Sequence, residues 1–255
     1  MTGEAATDRR VVALTGADAL PFLQGLVTND VLPLGKGRGI VWAALLTPQG
    51  KYLADFFVVN TGAALLLDLP EALADASLRR LAMYRLRADV QMAATALQVQ
   101  RGLGAAPDDA LPDPRHPALG WRRYGDAPGT APAIDWDRVR VAHVIPEAAR
   151  ELLVDDCYIL EAGFERLHGV DFRKGCYVGQ EVTARMKHKT ELRKGLVRVR
   201  VTGEAAFGAE ITAEGKAAGT LFTRAGDQAI AYLRLDRATG PMQAGAATVT
   251  LDPAP

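Results

Sequence analysis

From Gly195 onward, Val197, Val199 and Val201 alternate with Arg198 and Arg200, the period of two expected of a strand with one buried face. Short apolar runs then recur at Ile211–Thr212, Gly219–Thr223, Ala229–Leu235 and Ala247–Leu251, separated by glycines. This rhythm predicts a small antiparallel β-barrel or sandwich. Upstream, Val11–Leu14 and Leu65–Leu69 read as strands, and Val41–Leu46 and Tyr52–Val59 as a hairpin turning at Pro48-Gln49-Gly50. Asp18 is placed to cap a helix with Pro21 in its first turn, burying Leu20, Leu23 and Val27 with Leu26 beside them. Gly35–Gly39 is a turn. A second helix starts at Pro70 and puts Leu73, Ser77, Leu81 and Tyr84 on one face.

Six prolines between Gly102 and Pro132 leave no room for a long regular element, so this stretch reads as a loop-rich connector. Helix is expected again over Pro146–Leu153 and near Cys157–Gly163, where Cys157 and Glu161 would share a face. The pattern divides the chain into an N-terminal α+β region (1–101), a connector and helical region (102–190) and the barrel (191–255).

Composition narrows the function classes. A chain of 255 residues can bury a substantial core, and 49% hydrophobic with 24% charged residues is ordinary for a folded protein. Zero net charge argues against a surface that coats nucleic acid. Residues 1–10 show no cationic start with an apolar stretch, and no apolar run approaches the roughly 20 residues that cross a bilayer. The expectation is a cytoplasmic protein with no membrane partner, in which Cys157 and Cys176 are free thiols.

One segment departs from that even background. Lys174-Gly175-Cys176-Tyr177-Val178-Gly179-Gln180-Glu181 sets a cysteine between glycines, and seven cations from Arg173 to Lys194 face only Glu181 and Glu191. Cations favour the thiolate, the nucleophilic and metal-binding form, and glycines let backbone approach a ligand closely. The plainer reading of Cys176 is a small buried hydrophobe. The basic run suits an anionic ligand: a carboxylate tail, a phosphate or RNA. RNA is the weaker reading because Tyr177 is the one aromatic there. Glu161 can accept paired hydrogen bonds from a pterin or guanine edge, or stand as a surface helix charge. His143, His168 and His188 show no ligand spacing, so no metal site is assigned. Nucleotide-binding glycine loops and the nucleophile elbow are absent from the sequence.

Several blocks together resemble the YgfZ-type folate-binding proteins, a branch related to the glycine cleavage T-protein (aminomethyltransferase). They are Leu23 to Val31, Leu45 to Lys51 with Asp55 following, Tyr84-Arg85-Leu86-Arg87, Ile145-Pro146-Glu147, Leu160 to Gly163, and the specific Lys174–Glu181 block, whose cysteine T-proteins lack. The resemblance implies a multi-part, ring-like α+β T-protein fold around a central folate pocket, ending in a small β-barrel. It implies tetrahydrofolate as ligand, a transient iron-sulfur cluster, and iron-sulfur client or assembly proteins as partners. Cys176 matches the functional cysteine and Glu161 the pterin-holding glutamate; Arg173 and Lys174, cations beside the loop, are read as further cofactor-binding candidates. The role implied is a factor for iron-sulfur protein assembly or maintenance and not a conventional enzyme; the alternative is a tetrahydrofolate-dependent one-carbon (aminomethyl) transferase. Where a T-protein carries its catalytic aspartate, Pro70 to Asp75 match poorly, so Asp75 is given no catalytic role.

Overall fold

The computed structural model describes residues 3–189 and 192–252. Glu191 and the side chain of Lys189, both counted above in the charged run, lie outside the described residues. The first part contains strands β1 (Glu4–Ala5) and β2 (Arg9–Thr15), helix α1 (Ala19–Gln24), strands β3 (Gly39–Leu46), β4 (Tyr52–Asn60) and β5 (Leu65–Pro70), helix α2 (Glu71–Arg85), and strands β6 (Gln91–Ala94) and β7 (Gln98–Gly102). Strands β8 (Leu111–Pro112) and β9 (Trp121–Gly125) follow, then helices α3 (Trp136–His143) and α4 (Gln180–Lys189). The last strands are β10 (Lys194–Thr202), β11 (Glu210–Ala213), β12 (Lys216–Ala225), β13 (Gln228–Arg234), β14 (Met242–Ala244) and β15 (Ala247–Leu251).

These form an α+β fold with three sheets, ordered β3-β4-β5-β2-β6, β1-β7-β9-β8, and a closed barrel β10-β13-β12-β11-β14-β15. The five-stranded sheet is buried on both faces. Trp42, Ala44, Leu46, Phe57 and Val59 enter one core with Ile145, Leu152, Ile159 and Phe164. Their alternates Ala43, Leu45, Phe56 and Val58 enter a second with Leu23, Ala74 and Leu81 from the two helices. This explains why β3 and β4 read as continuous apolar runs and not as alternation. The barrel encloses its own core, including Val199, Val201, Ile211 and Leu233.

Several elements differ from the sequence expectation. The 102–132 stretch holds β8 and β9, which extend the sheet built on β7. Pro112 is tolerated because β8 is an edge strand. Pro146–Leu153 is a chain of turns and not a helix, since Ala149 adopts a φ of 61° and a single parallel bridge joins Ala148 to Leu152. Residues 157–163 also lie in successive turns, which run on to His168, and Gly163 takes a φ of 80°. The helix of this region lies earlier, at α3, where Asp135 accepts the Arg138 amide as cap. On α2 the buried face is Ala74, Ser77 and Leu81, while Tyr84 is exposed. Asp18 precedes α1 without capping it; its carboxylate accepts the Asp89 amide instead.

Candidate functional site

The turn between β3 and β4 organises the site. Thr47 and Lys51 close it with an amide-to-carbonyl bond of 2.8 Å, and Gly50 occupies the left-handed region at φ 77°. Just beyond the turn, the Tyr52 amide donates to the Cys157 carbonyl, and the Tyr52 carbonyl accepts the Asp155 amide. The chain at 155–158 is thereby laid along the start of β4. Three residues later, the Glu161 carbonyl accepts the Leu196 amide of β10 at 2.8 Å, which fixes the barrel against the same segment.

A cavity of about 220 Å³ lies at this junction, lined among others by Lys51, Cys157, Tyr158, Glu161, Lys194 and Tyr232. Tyr232, contributed by β13, donates its hydroxyl to Glu161 Oε2 at 2.7 Å. Burial and the Glu161 carboxylate push the Tyr232 phenol well above its ordinary value, so it stays a donor. Burial likewise pushes the Cys157 thiol up to about 12, which makes it a poor nucleophile. Lys51 Nζ donates to the Asp156 carbonyl at 2.5 Å and lies 3.9 Å from the centre of the Tyr158 ring. Glu161 therefore lines a partly open hollow and is not the surface charge that the plainer reading allowed.

Cys176 is exposed, which removes the reading of it as a buried hydrophobe. Its loop is tied on one side to the Gln24–Asp30 segment. Lys174 Nζ donates to the Gln24 carbonyl at 2.5 Å, and Gln24 Nε2 donates to the Lys174 carbonyl at 3.1 Å. Burial lowers the Lys174 ammonium to about 8 against the opposing pull of Asp30, Asp171 and Cys176. On the other side the loop rests on the hairpin turn. Gly179, at φ 85°, lies so close that an added Cβ would fall 2.5 Å from the Thr47 carbonyl oxygen.

The structure does not gather the four sequence candidates into one cavity. Glu161 lines the hollow at the barrel junction. Arg173 is exposed beside an open depression that includes Asn29, His168 and Asp171, and its amide is held by Asp171 Oδ1 at 2.6 Å. The Thr47–Lys51 turn contributes Lys51 to the hollow and packs Gly50 on Val182 of α4. The basic run is partly neutralised: Arg185 pairs with Glu181 at 2.7 Å and Lys187 with Glu165. Sequence reasoning did not single out Tyr232 or Lys194 as site residues. Tyr232 lies 71 residues from its partner Glu161, and no local pattern signals such a contact. Among the described residues no group of three or more His, Cys, Asp or Glu side chains could hold a metal ion.

Comparison with known proteins follows the same lines. Residues 193–255 match the family model described as CAF17, C-terminal beta-barrel domain. The chain is 30% identical over 278 residues to the iron-sulfur cluster assembly factor IBA57, mitochondrial, of Mus musculus, covering 92% of this chain and 78% of that protein. With its human counterpart the identity is 29% at the same coverage. With the homolog from Mycosarcoma maydis it is 31% over 219 residues, 74% of this chain and 54% of that one; the chain thus spans about half the length of this fungal relative. A crystal structure of glycine cleavage system aminomethyltransferase T from Bartonella henselae superposes with a TM-score of 0.75 at 13% identity, over 97% of this chain and 85% of that one, a likeness of fold. The expected cytoplasmic location is corrected here: these relatives are named as mitochondrial proteins.

Proposed function

The chain belongs to the family of IBA57 iron-sulfur cluster assembly factors, and from that premise we propose that it serves iron-sulfur protein assembly as a folate-binding factor. In this reading Glu161 holds a reduced pterin and Cys176 offers a sulfur ligand to a cluster in transit. The observation that carries it is the Glu161–Tyr232 pair lining a cavity at the barrel junction.

The donor set suits the ligand. A carboxylate accepts the paired N–H groups of a pterin edge, and Tyr158, Phe222 and Tyr232 supply aromatic wall. At about 220 Å³ the cavity is smaller than the roughly 300 Å³ at which pockets for drug-sized ligands begin. It takes the bicyclic ring and leaves the aminobenzoyl-glutamate tail outside, and Lys51 and Lys194 of the lining complement the tail's carboxylates. When bound, tetrahydrofolate supplies a reducing or one-carbon-carrying ring; Glu161 and Tyr232 orient it. Cys157, a protonated thiol, adds only a weak donor.

Cys176 sits outside the cavity, accessible to a large partner. One thiolate cannot complete the coordination of a cluster, so the remaining ligands come from a client protein or a small thiol. Aminomethyl transfer gains no support: Asp75 is exposed and paired with Arg10, remote in role from the cavity lining. The RNA reading loses force because two of its cations are already paired.

Anaerobic titration with tetrahydrofolate tests the folate half. Saturable binding should weaken about tenfold or more in Glu161→Gln, as expected for loss of charge-assisted hydrogen bonds, with the thermal midpoint retained. Binding that ignores the substitution would remove Glu161 from the site.

A further inference from the structure

A second cavity, larger than the first at about 620 Å³, lies between α3 and the strands β10 and β15 of the barrel. Its walls are largely aliphatic: Val144, Leu196, Val197 and Leu251. Against them stand two imidazoles, His116 and His143, stacked with ring centres 4.2 Å apart. His116 Nδ1 accepts the Ala118 amide at 3.1 Å, which places its proton on Nε2. Burial and neighbouring cations hold both imidazoles below their ordinary value, Arg166 acting on both and Arg198 on His143. Both rings are therefore neutral at physiological pH.

The two guanidinium groups of this cavity differ. Arg198 is matched by Asp252, Nε to Oδ2 at 3.0 Å. Arg166 donates to the carbonyls of His143 and Val144, at 3.0 and 2.8 Å, just past the end of α3. Among the described residues Arg166 forms no ion pair with a carboxylate. A cavity of this size falls within the range of about 300–1,000 Å³ typical of small-molecule sites, which combine apolar walls with a few placed polar groups. Here the placed groups are one unneutralised guanidinium and a flat imidazole stack. Both favour a planar anion: the guanidinium pairs with a carboxylate in two-pronged fashion, and the rings and aliphatic side chains receive an aromatic body.

We propose that this cleft is a second ligand site, separate from the Glu161 cavity, that takes a small aromatic carboxylate with its charged end on Arg166 and its ring against His116 and His143. The site spans α3 and the barrel, so its occupant bridges the two.

The test uses the full chain, with 2-naphthoate as probe and 2-naphthylmethanol as its uncharged counterpart. The chain has four histidines, so their imidazole proton resonances report the position of binding. The His116 and His143 signals should move saturably with naphthoate while that of His188, on α4, holds still. The neutral analogue, and separately Arg166→Gln, should each weaken binding about tenfold or more through the lost charge-assisted pair. Because Arg166 also caps α3, a second variant leaves it intact: Leu251→Trp fills the cleft and should abolish the shifts. Glu161→Gln should leave them unchanged, which separates this site from the folate cavity. Equal movement of His188, indifference to probe charge, or retained shifts in Leu251→Trp would overturn the proposal.

Discussion

Asp68 shows how a single charge shapes this fold. It sits within the apolar run Leu65–Pro70 and is completely buried, yet it accepts from Arg9 at 2.6 Å, Arg122 at 2.7 Å and the Tyr124 hydroxyl at 2.8 Å. Arg122 and Arg115 in turn lie against the Phe57 ring, at 4.2 and 4.9 Å. Burial pushes the Asp68 carboxyl upward, but Arg9 and Arg122 outweigh it and hold it below its usual range. A carboxyl depressed in the folded state stabilises fully above its unfolded value of about 3.9 and loses that contribution as pH falls through the folded value. Asp113, held low by Arg115 and Arg122 against its own burial, acts with the same sign. Asp68→Ala leaves Arg122 with Asp113 alone at 3.6 Å, and urea unfolding at pH 7 should show a loss of about 3–5 kcal/mol. Below about pH 4 the gap between variant and parent should narrow as the parent's own carboxyl is protonated. An unchanged midpoint at neutral pH would mean that the buried pair contributes nothing net. The sequence marks residue 68 as strand interior but says nothing of its partners, which come from positions 9, 122 and 124.

At the scale of elements, the contact between the cysteine loop and the β3–β4 turn is set by a glycine. Gly179 has both a left-handed φ and backbone at 2.5 Å from where a Cβ would stand, whereas Gly175, at φ 97°, has no atom within 4 Å of that position. Gly179→Ala must therefore move Thr47 or the loop, and should cost about 1–3 kcal/mol. Gly175→Ala carries only the conformational term, about 1–2 kcal/mol. Thermal unfolding ranks the two, and limited proteolysis should find cleavage around residues 173–179 faster in Gly179→Ala; the reverse order would refute the contact. Both glycines were conspicuous in the sequence, as was the barrel, because the alternation of Val197, Val199 and Val201 follows from one buried face. The turns at 146–153 and 157–163 were not, because their apolar spacing imitates a helix while Ala149 and Gly163 adopt left-handed backbone. Helix α3 went unread for the converse reason: Trp136–His143 is rich in charge, and Arg140 is itself buried against Glu151 at 3.0 Å.

At the scale of the molecule, the family blocks named the candidate residues, but only the folded chain separates them. A single site with Cys176 beside the pterin follows naturally from their closeness in sequence. The structure instead places Glu161 in a cavity whose lining does not include Cys176, and leaves Cys176 exposed. Substitutions at positions without shared partners act nearly independently. Cys176→Ala should therefore leave tetrahydrofolate affinity within about twofold and stability within about 0.5 kcal/mol of the parent. In cells lacking the endogenous factor, the same variant should fail to restore iron-sulfur enzyme activity, as the proposed role of the thiol as cluster ligand requires. Glu161→Gln should show the opposite split, weakened folate binding with the thiol still reactive toward a maleimide. Full restoration by Cys176→Ala would remove the sulfur from the mechanism. A Cys176→Ala protein that restores nothing and has also lost its folate would show instead that the two positions form one coupled site, although Cys176 lies outside the lining of the Glu161 cavity.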